Sequence, residues 1–161
     1  MVPVLAWIES TALSQWVVGE LFAFPVILTL HAIGMGVAVG LSAVLDLRIL
    51  GVARSIPLVE LRRYLPILWF GFWLNAVSGV LLLIGYPTKA LTNPVFYVKL
   101  SLIGVAMVLL SRIARRAFLL QEERTPPLRR LAILSLVCWT GAITAGRLLA
   151  YTYRHLTASD F

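Results

Sequence analysis

The sequence predicts an all-α integral membrane protein: a four-transmembrane-helix bundle with an N-terminal interfacial amphipathic helix, forming one membrane domain over residues 1–161. Three observations carry this prediction. First, 60% of the residues are hydrophobic and 13% are charged, whereas a soluble domain is about half apolar and about a quarter charged. The mean hydropathy of +0.92 agrees. Second, four separate stretches approach the roughly 20 apolar residues that a crossing helix needs. Third, the basic residues are sorted by loop. Arg48, Arg54, Arg62 and Arg63 follow the first stretch, and Arg112, Arg115, Arg116, Arg124, Arg129 and Arg130 follow the third. Of the 14 basic residues, the middle loop has Lys89 alone and the tail has Arg154 alone. Composition also excludes a disordered chain, which lacks apolar surface to bury. A disulfide scaffold is excluded because Cys138 is the one cysteine.

The elements follow in order. Over about residues 4–19, Leu5, Ile8, Ala12, Leu13, Trp16 and Val17 fall on one side of a helix, and Ser10, Thr11, Ser14 and Gln15 on the other. That pattern predicts a helix lying in the membrane interface with Trp7 and Trp16 as anchors. The segment lacks the basic start of a signal peptide. Span one covers about 21–45, with His31 as its ionisable group and Pro25 in its first turns, where a missing N–H costs little. Span two, about 64–86, carries no charge. Span three, about 95–112, has Lys99 near its start. Thr125-Pro126-Pro127 breaks the chain before span four, about 131–153, which has Arg147 near its end. Tyr86, Tyr97, Tyr151 and Tyr153 would then form an aromatic belt at one face.

The positive-inside rule places the two arginine-rich loops in the cytoplasm and both termini on the periplasmic side of a bacterial inner membrane. The arginines therefore read as topology and lipid contact, not as a nucleic-acid surface. No GxxxxGK[ST], GxGxxG, HExxH or CxxC pattern occurs, and no residue is given a catalytic role.

Helices in lipid associate through close packing at small residues. Ala32, Gly36 and Gly40 in span one, Gly71, Asn75 and Gly79 in span two, and Ala142 and Gly146 beside Gly141 and Ala145 in span four predict a compact bundle. An amide in the membrane needs a hydrogen-bond partner, so Asn75 either bonds a neighbouring helix or faces a ligand. Cys138 reads as a small buried residue. Asp46 and Arg48 read as a helix-end or interhelical pair.

Ionisable groups inside a span are costly and usually functional. His31 lies about 15 Å deep at 1.5 Å per residue, and Lys99 and Arg147 enter the same half of the bundle from the terminal side. The nearest acid there is Glu20. A cofactor with an axial site for imidazole and with carboxylates to hold would suit this set. Haem b fits, with His31 on the metal and propionates toward Lys99 and Arg147. A quinone head group would use the same cations with His31 as its proton partner. Asn75 and Tyr151 would orient either group. A second axial ligand is the difficulty, since His155 lies beyond span four, Met35 is on the same helix as His31, and Met107 remains as a candidate. Copper ranks below haem because Met1, Met35 and Met107 form no ligand cluster.

Three motifs carry a resemblance. His31 followed by a small-residue helix ending Asp46-Leu47-Arg48-Ile49-Leu50-Gly51, then Asn93-Pro94 with Phe96 and Lys99, then Gly146-Arg147-Leu148-Leu149-Ala150-Tyr151 occur in this order. Together they resemble an uncharacterised bacterial four-helix integral membrane family over nearly the whole chain. More distantly, His31 and the Phe96-to-Lys99 spacing resemble copper-resistance D-type proteins and the haem-binding membrane type of protoporphyrinogen oxidase. That likeness implies a haem-associated redox role, although the further histidines of such helices are missing here. The expected function is therefore a small redox-associated membrane protein binding haem b or a quinone. Expected partners are the lipid bilayer, other membrane redox subunits or a second copy in a homodimer. The alternatives are a cofactor-free accessory or scaffold subunit and, third, a small transporter, for which no inverted repeat is visible.

Overall fold

The structure, a computed structural model, describes residues 2–52, 54–122 and 125–158, and every regular element among them is helical. Met1 and Arg124 lie outside the described residues, as do the side chains of Tyr153, Arg154 and His155. The order is α1 (Val2–Glu9), α2 (Ala12–Gly19), α3 (Ala23–Leu50), α4 (Leu58–Arg62), α5 (Leu65–Gly85), α6 (Pro87–Leu91), α7 (Pro94–Ala114) and α8 (Pro126–Ala158), with a π turn, Arg115–Leu119, extending α7. Four helical stretches, Ala23–Leu50, Leu58–Gly85, Pro94–Leu119 and Pro126–Leu149, are long and apolar enough to cross a membrane.

Local chemistry sets the ends of these helices. Gly51 closes α3 in the left-handed conformation, φ 92°, and its N–H reaches the carbonyls of Leu47 and Arg48. Glycine takes that conformation without the Cβ penalty other residues meet. Asn93 caps α7, its side-chain oxygen accepting from the Val95 N–H at 3.0 Å, and Pro94 fills the first turn. The residue pair read from sequence as a motif is thus a helix start signal.

The predicted single N-terminal helix is two. Thr11 breaks it by accepting from the Ser14 N–H and capping α2. Its predicted polar and apolar sides do not survive the break. Ser14 and Val17 are buried, while Leu13 and Trp16 are exposed. Val17 packs where Gly85 of α5 leaves room, since a Cβ there would lie 2.8 Å from it.

The long helices pair as two hairpins, α3 with α5 and α7 with α8, joined along α3 and α8. Among the described residues α5 and α7 scarcely meet, so the bundle is open on that side. The described parts of the arginine-rich connections, residues 54–64 and 115–122, lie together at one end, the basic end. There Leu45, Ile49, Leu110, Ile113, Leu128 and Ala132 form the tightest apolar packing, each at most 2% exposed.

The small-residue prediction holds for α5 and fails for α3. Gly71 and Gly79 sit in the α3–α5 contact, but Gly71 meets Gly34, Val37 and Ala38 and Gly79 meets His31, not Ala32, Gly36 and Gly40. A Cβ on Gly34 would fall 2.6 Å from the Asn75 backbone nitrogen and 2.7 Å from the Gly71 oxygen. Gly36 and Gly40 have nothing within 4 Å and face outward.

Candidate functional site

The close approach at Gly34 presents His31 to α5, three residues back on α3. Gly79 makes room for the ring, since a Cβ there would lie 3.1 Å from His31 Cε1. His31 Nδ1 stands 2.9 Å from the Asn75 carbonyl oxygen and 3.2 Å from Ser78 Oγ. A carbonyl only accepts, so the close contact assigns the hydrogen to Nδ1 and, in the neutral ring, leaves the lone pair on Nε2. The Asn75 amide in turn donates to the His31 carbonyl at 2.7 Å. Asn75 thereby bonds the neighbouring helix, the first of the two sequence readings, and it also lines an internal space.

That space is a narrow void of about 20 Å³ at the centre of the four long helices, lined by Met35, Asn75, Phe72, Lys99, Trp139 and Ala142 among others. Its size suits one water, which needs about 10–15 Å³. Lys99 reaches it along Gly146, where a Cβ would lie at ordinary contact distance, 3.6–3.8 Å, from Lys99 Cε, Nζ and Cδ. Lys99 makes no hydrogen bond or ion pair with the described residues, and its charge lies within electrostatic reach of His31. Glu20 pairs with neither Lys99 nor Arg147.

Of the five residues singled out from sequence, the structure gathers His31, Asn75 and Lys99. Arg147 is exposed and turned away from Lys99, and Tyr151 is 63% exposed. Met35 lines the void, whereas Met107 lines a separate groove with Trp69 and Arg112 toward the basic end. Cys138 is a free, buried thiol. A wide groove, about 840 Å³, runs along α7 and α8 between Val95, Leu136 and Thr144 and is lined by no charged group. Size alone therefore does not mark the site.

Two polar features escaped the sequence reading. Trp139 Nε1–H donates to Ser42 Oγ at 2.9 Å, a buried bond between α8 and α3. The expected Asp46–Arg48 pair does not form: Arg48 turns to the Ile56 carbonyl, and Asp46 is fully buried against α8. Residues two apart on a helix point in different directions, and that spacing already disfavoured the pair. The visible signal was the i,i+4 spacing of Ser42 with Asp46 and of Ser135 with Trp139.

Replacing Trp139 with Phe is expected to cost about 0.5–1.5 kcal/mol of stability, the scale of one interhelical hydrogen bond. Denaturation in mixed micelles would measure it. The Ser42→Ala, Trp139→Phe double variant should lose less than the sum of the two singles. Strict additivity would show that the bond contributes nothing.

Among known proteins, no family model, no curated protein and no solved structure matches the chain.

Proposed function

We propose that this is a small, redox-associated protein of the bacterial inner membrane whose periplasmic half takes up a quinone-type head group between His31 and Lys99. One observation carries the reading. An imidazole fixed through Nδ1 and an ammonium without a counter-charge lie in the same half of an apolar bundle, with no carboxylate among the described residues beside them. Lys99 would donate to one head-group oxygen, and His31 Nε2 would accept a hydroxyl proton from the reduced form. The open side between α5 and α7 admits a ring from the lipid, with its tail left in the bilayer.

Haem b would use the same two atoms, with iron on Nε2 and a propionate on Lys99. A void the size of one water makes a macrocycle the harder fit, because it requires the helices to part much further. The arginine-rich loops support the orientation assumed, with the basic end in the cytoplasm.

The test uses purified protein in detergent. Solvent extraction for quinone and titration of a short-tailed quinone against tryptophan fluorescence should show saturable binding. His31→Ala and Lys99→Gln should each weaken it by about tenfold or more, the scale of one charge-assisted hydrogen bond. An oxidised and dithionite-reduced spectrum reads haem on the same sample, and a Soret band lost in His31→Ala would replace quinone with haem. A colourless wild-type protein that binds no quinone would overturn both and leave the accessory-subunit reading.

A further inference from the structure

The ligand reading leaves unused the groove toward the basic end. It holds about 470 Å³ on the open side of the bundle, between α5 and α7. Trp69 and Phe72, three residues apart on α5, make one wall, and their rings meet edge to face with centroids 5.7 Å apart. The other wall is α7 and its π extension. Met107, Ser111 and Arg115 follow one another there at i+4 steps, with Arg112 beside them.

The groove changes character along its length. Met107 is buried and apolar, whereas Ser111, Arg112 and Arg115 are exposed. At 1.5 Å per residue, Arg112 lies about 27 Å along α7 from Pro94, and Arg115 lies nearly a turn further. A hydrocarbon core is about 30 Å thick. In a bundle that spans a bilayer, both guanidinium groups therefore stand at the level of lipid phosphates. Trp69 and Phe72 lie about 6 and 10 Å in from the start of α5 at Leu65, at the depth of the first part of an acyl chain.

Charge selects the occupant. No carboxylate lines the groove, and neither Arg112 nor Arg115 has an ion pair among the described residues. Glu60 is held by Arg63, and Glu122 lies beside Arg116. A guanidinium binds phosphate through two parallel N–H bonds, and basic pockets between membrane helices bind anionic head groups. A zwitterionic lipid would bring its own cation to the same two arginines. A second copy packed here in the same orientation would set its basic end against this one. An acidic soluble partner would reach the arginines but leave the aromatic wall uncovered.

We propose that this groove holds one anionic phospholipid, with its phosphate on Arg112 and Arg115 and an acyl chain along Trp69, Phe72 and Met107. The site rests on the membrane reading above. It does not rest on a ligand between His31 and Lys99, neither of which lines the groove.

The test uses full-length protein in phosphatidylcholine liposomes, without quinone. Flotation with the liposomes after an alkaline wash comes first; protein that stays behind overturns the membrane reading and the site with it. Phosphatidylglycerol or phosphatidylcholine brominated along the acyl chain is then included in increasing fraction. Bromine quenches nearby tryptophan, and a parallel Trp69→Phe series isolates the Trp69 signal from that of the other four tryptophans. Half-maximal quenching of Trp69 should need about a tenfold smaller fraction of phosphatidylglycerol than of phosphatidylcholine, the scale of one charge-assisted hydrogen bond. In the Arg112→Gln, Arg115→Gln double variant, whose replaced side chains are exposed, the two lipids should quench alike. Arg129→Gln with Arg130→Gln removes the same charge from exposed positions outside the groove and should keep the preference. An equal loss there would mean that anionic lipid gathers around the whole basic end, and the site falls. Equal quenching of the wild type by both lipids also overturns it. So does a Trp69 that neither lipid quenches, which would put a second copy or another protein over the groove.

Discussion

Gly34→Ala is expected to be among the most damaging single-methyl changes in the chain, costing about 1–3 kcal/mol or more by overpacking. The added carbon would meet backbone, at 2.6 Å from the Asn75 nitrogen and 2.7 Å from the Gly71 oxygen. No rotamer change relieves a backbone clash, so α3 and α5 must separate. Separation lengthens the His31–Asn75 contacts, which cross the same seam three residues away. Gly36→Ala and Gly40→Ala, with nothing within 4 Å of the new carbon, should stay within about 0.5 kcal/mol of wild type. Denaturation of the three variants in mixed micelles separates these outcomes. Equal losses at Gly34, Gly36 and Gly40 would mean that the α3–α5 contact described here does not set stability.

The contrast among those glycines shows where sequence reading stops. The positions of the four long apolar helices were legible because length and apolarity can both be counted along the chain. The four predicted spans accordingly lie within the helical stretches Ala23–Leu50, Leu58–Gly85, Pro94–Leu119 and Pro126–Leu149 to within a few residues at their ends. The inward face of each helix was harder to find. In water the apolar stripe points inward, but a helix in lipid is apolar all round. Ala32, Gly36 and Gly40 therefore looked as good a packing stripe as Gly34 and Ala38. The better guide on α3 is its polar residues, because lipid excludes them: His31, Ser42 and Asp46 share the face that holds Gly34 and Ala38. At the N-terminus the reverse error arose. Ser10, Thr11 and Ser14 were read as a wet face, but Thr11 caps a new helix and Ser14 is 2% exposed.

The candidate site divides along the same line. His31, Asn75 and Lys99 were legible because each is a polar group in an apolar run, and the structure gathers all three. Arg147 was equally conspicuous, yet one position along α8 separates it from Gly146, about 100° around the helix. That rotation carries it from the face Lys99 packs on to the outside. Depth in a span can be read from sequence. Facing cannot, until a partner helix is known.

Lys99→Met is the change that best separates function from packing, because two opposite effects are expected from it. Methionine keeps an unbranched stem of similar length, so the contact along Gly146 survives. What disappears is an ammonium that makes no hydrogen bond or ion pair with the described residues. A lysine at the centre of a span costs about 2.5–3.5 kcal/mol on insertion scales, and less near an end. Lys99 lies five residues into α7, about 7–8 Å along the helix, so removing the charge should stabilise the protein by about 1–2 kcal/mol. The same change should weaken quinone binding by about tenfold or more. Arg147→Gln is the control: with its side chain exposed, stability should move by no more than about 0.5 kcal/mol and binding should not change. Denaturation in mixed micelles and the fluorescence titration read both quantities on the same preparations. A gain in stability with a loss of binding means the bundle tolerates an unfavourable charge for the sake of a ligand. A loss of stability in Lys99→Met means the ammonium is already satisfied by lipid phosphate, and the case for a ligand at Lys99 falls with it.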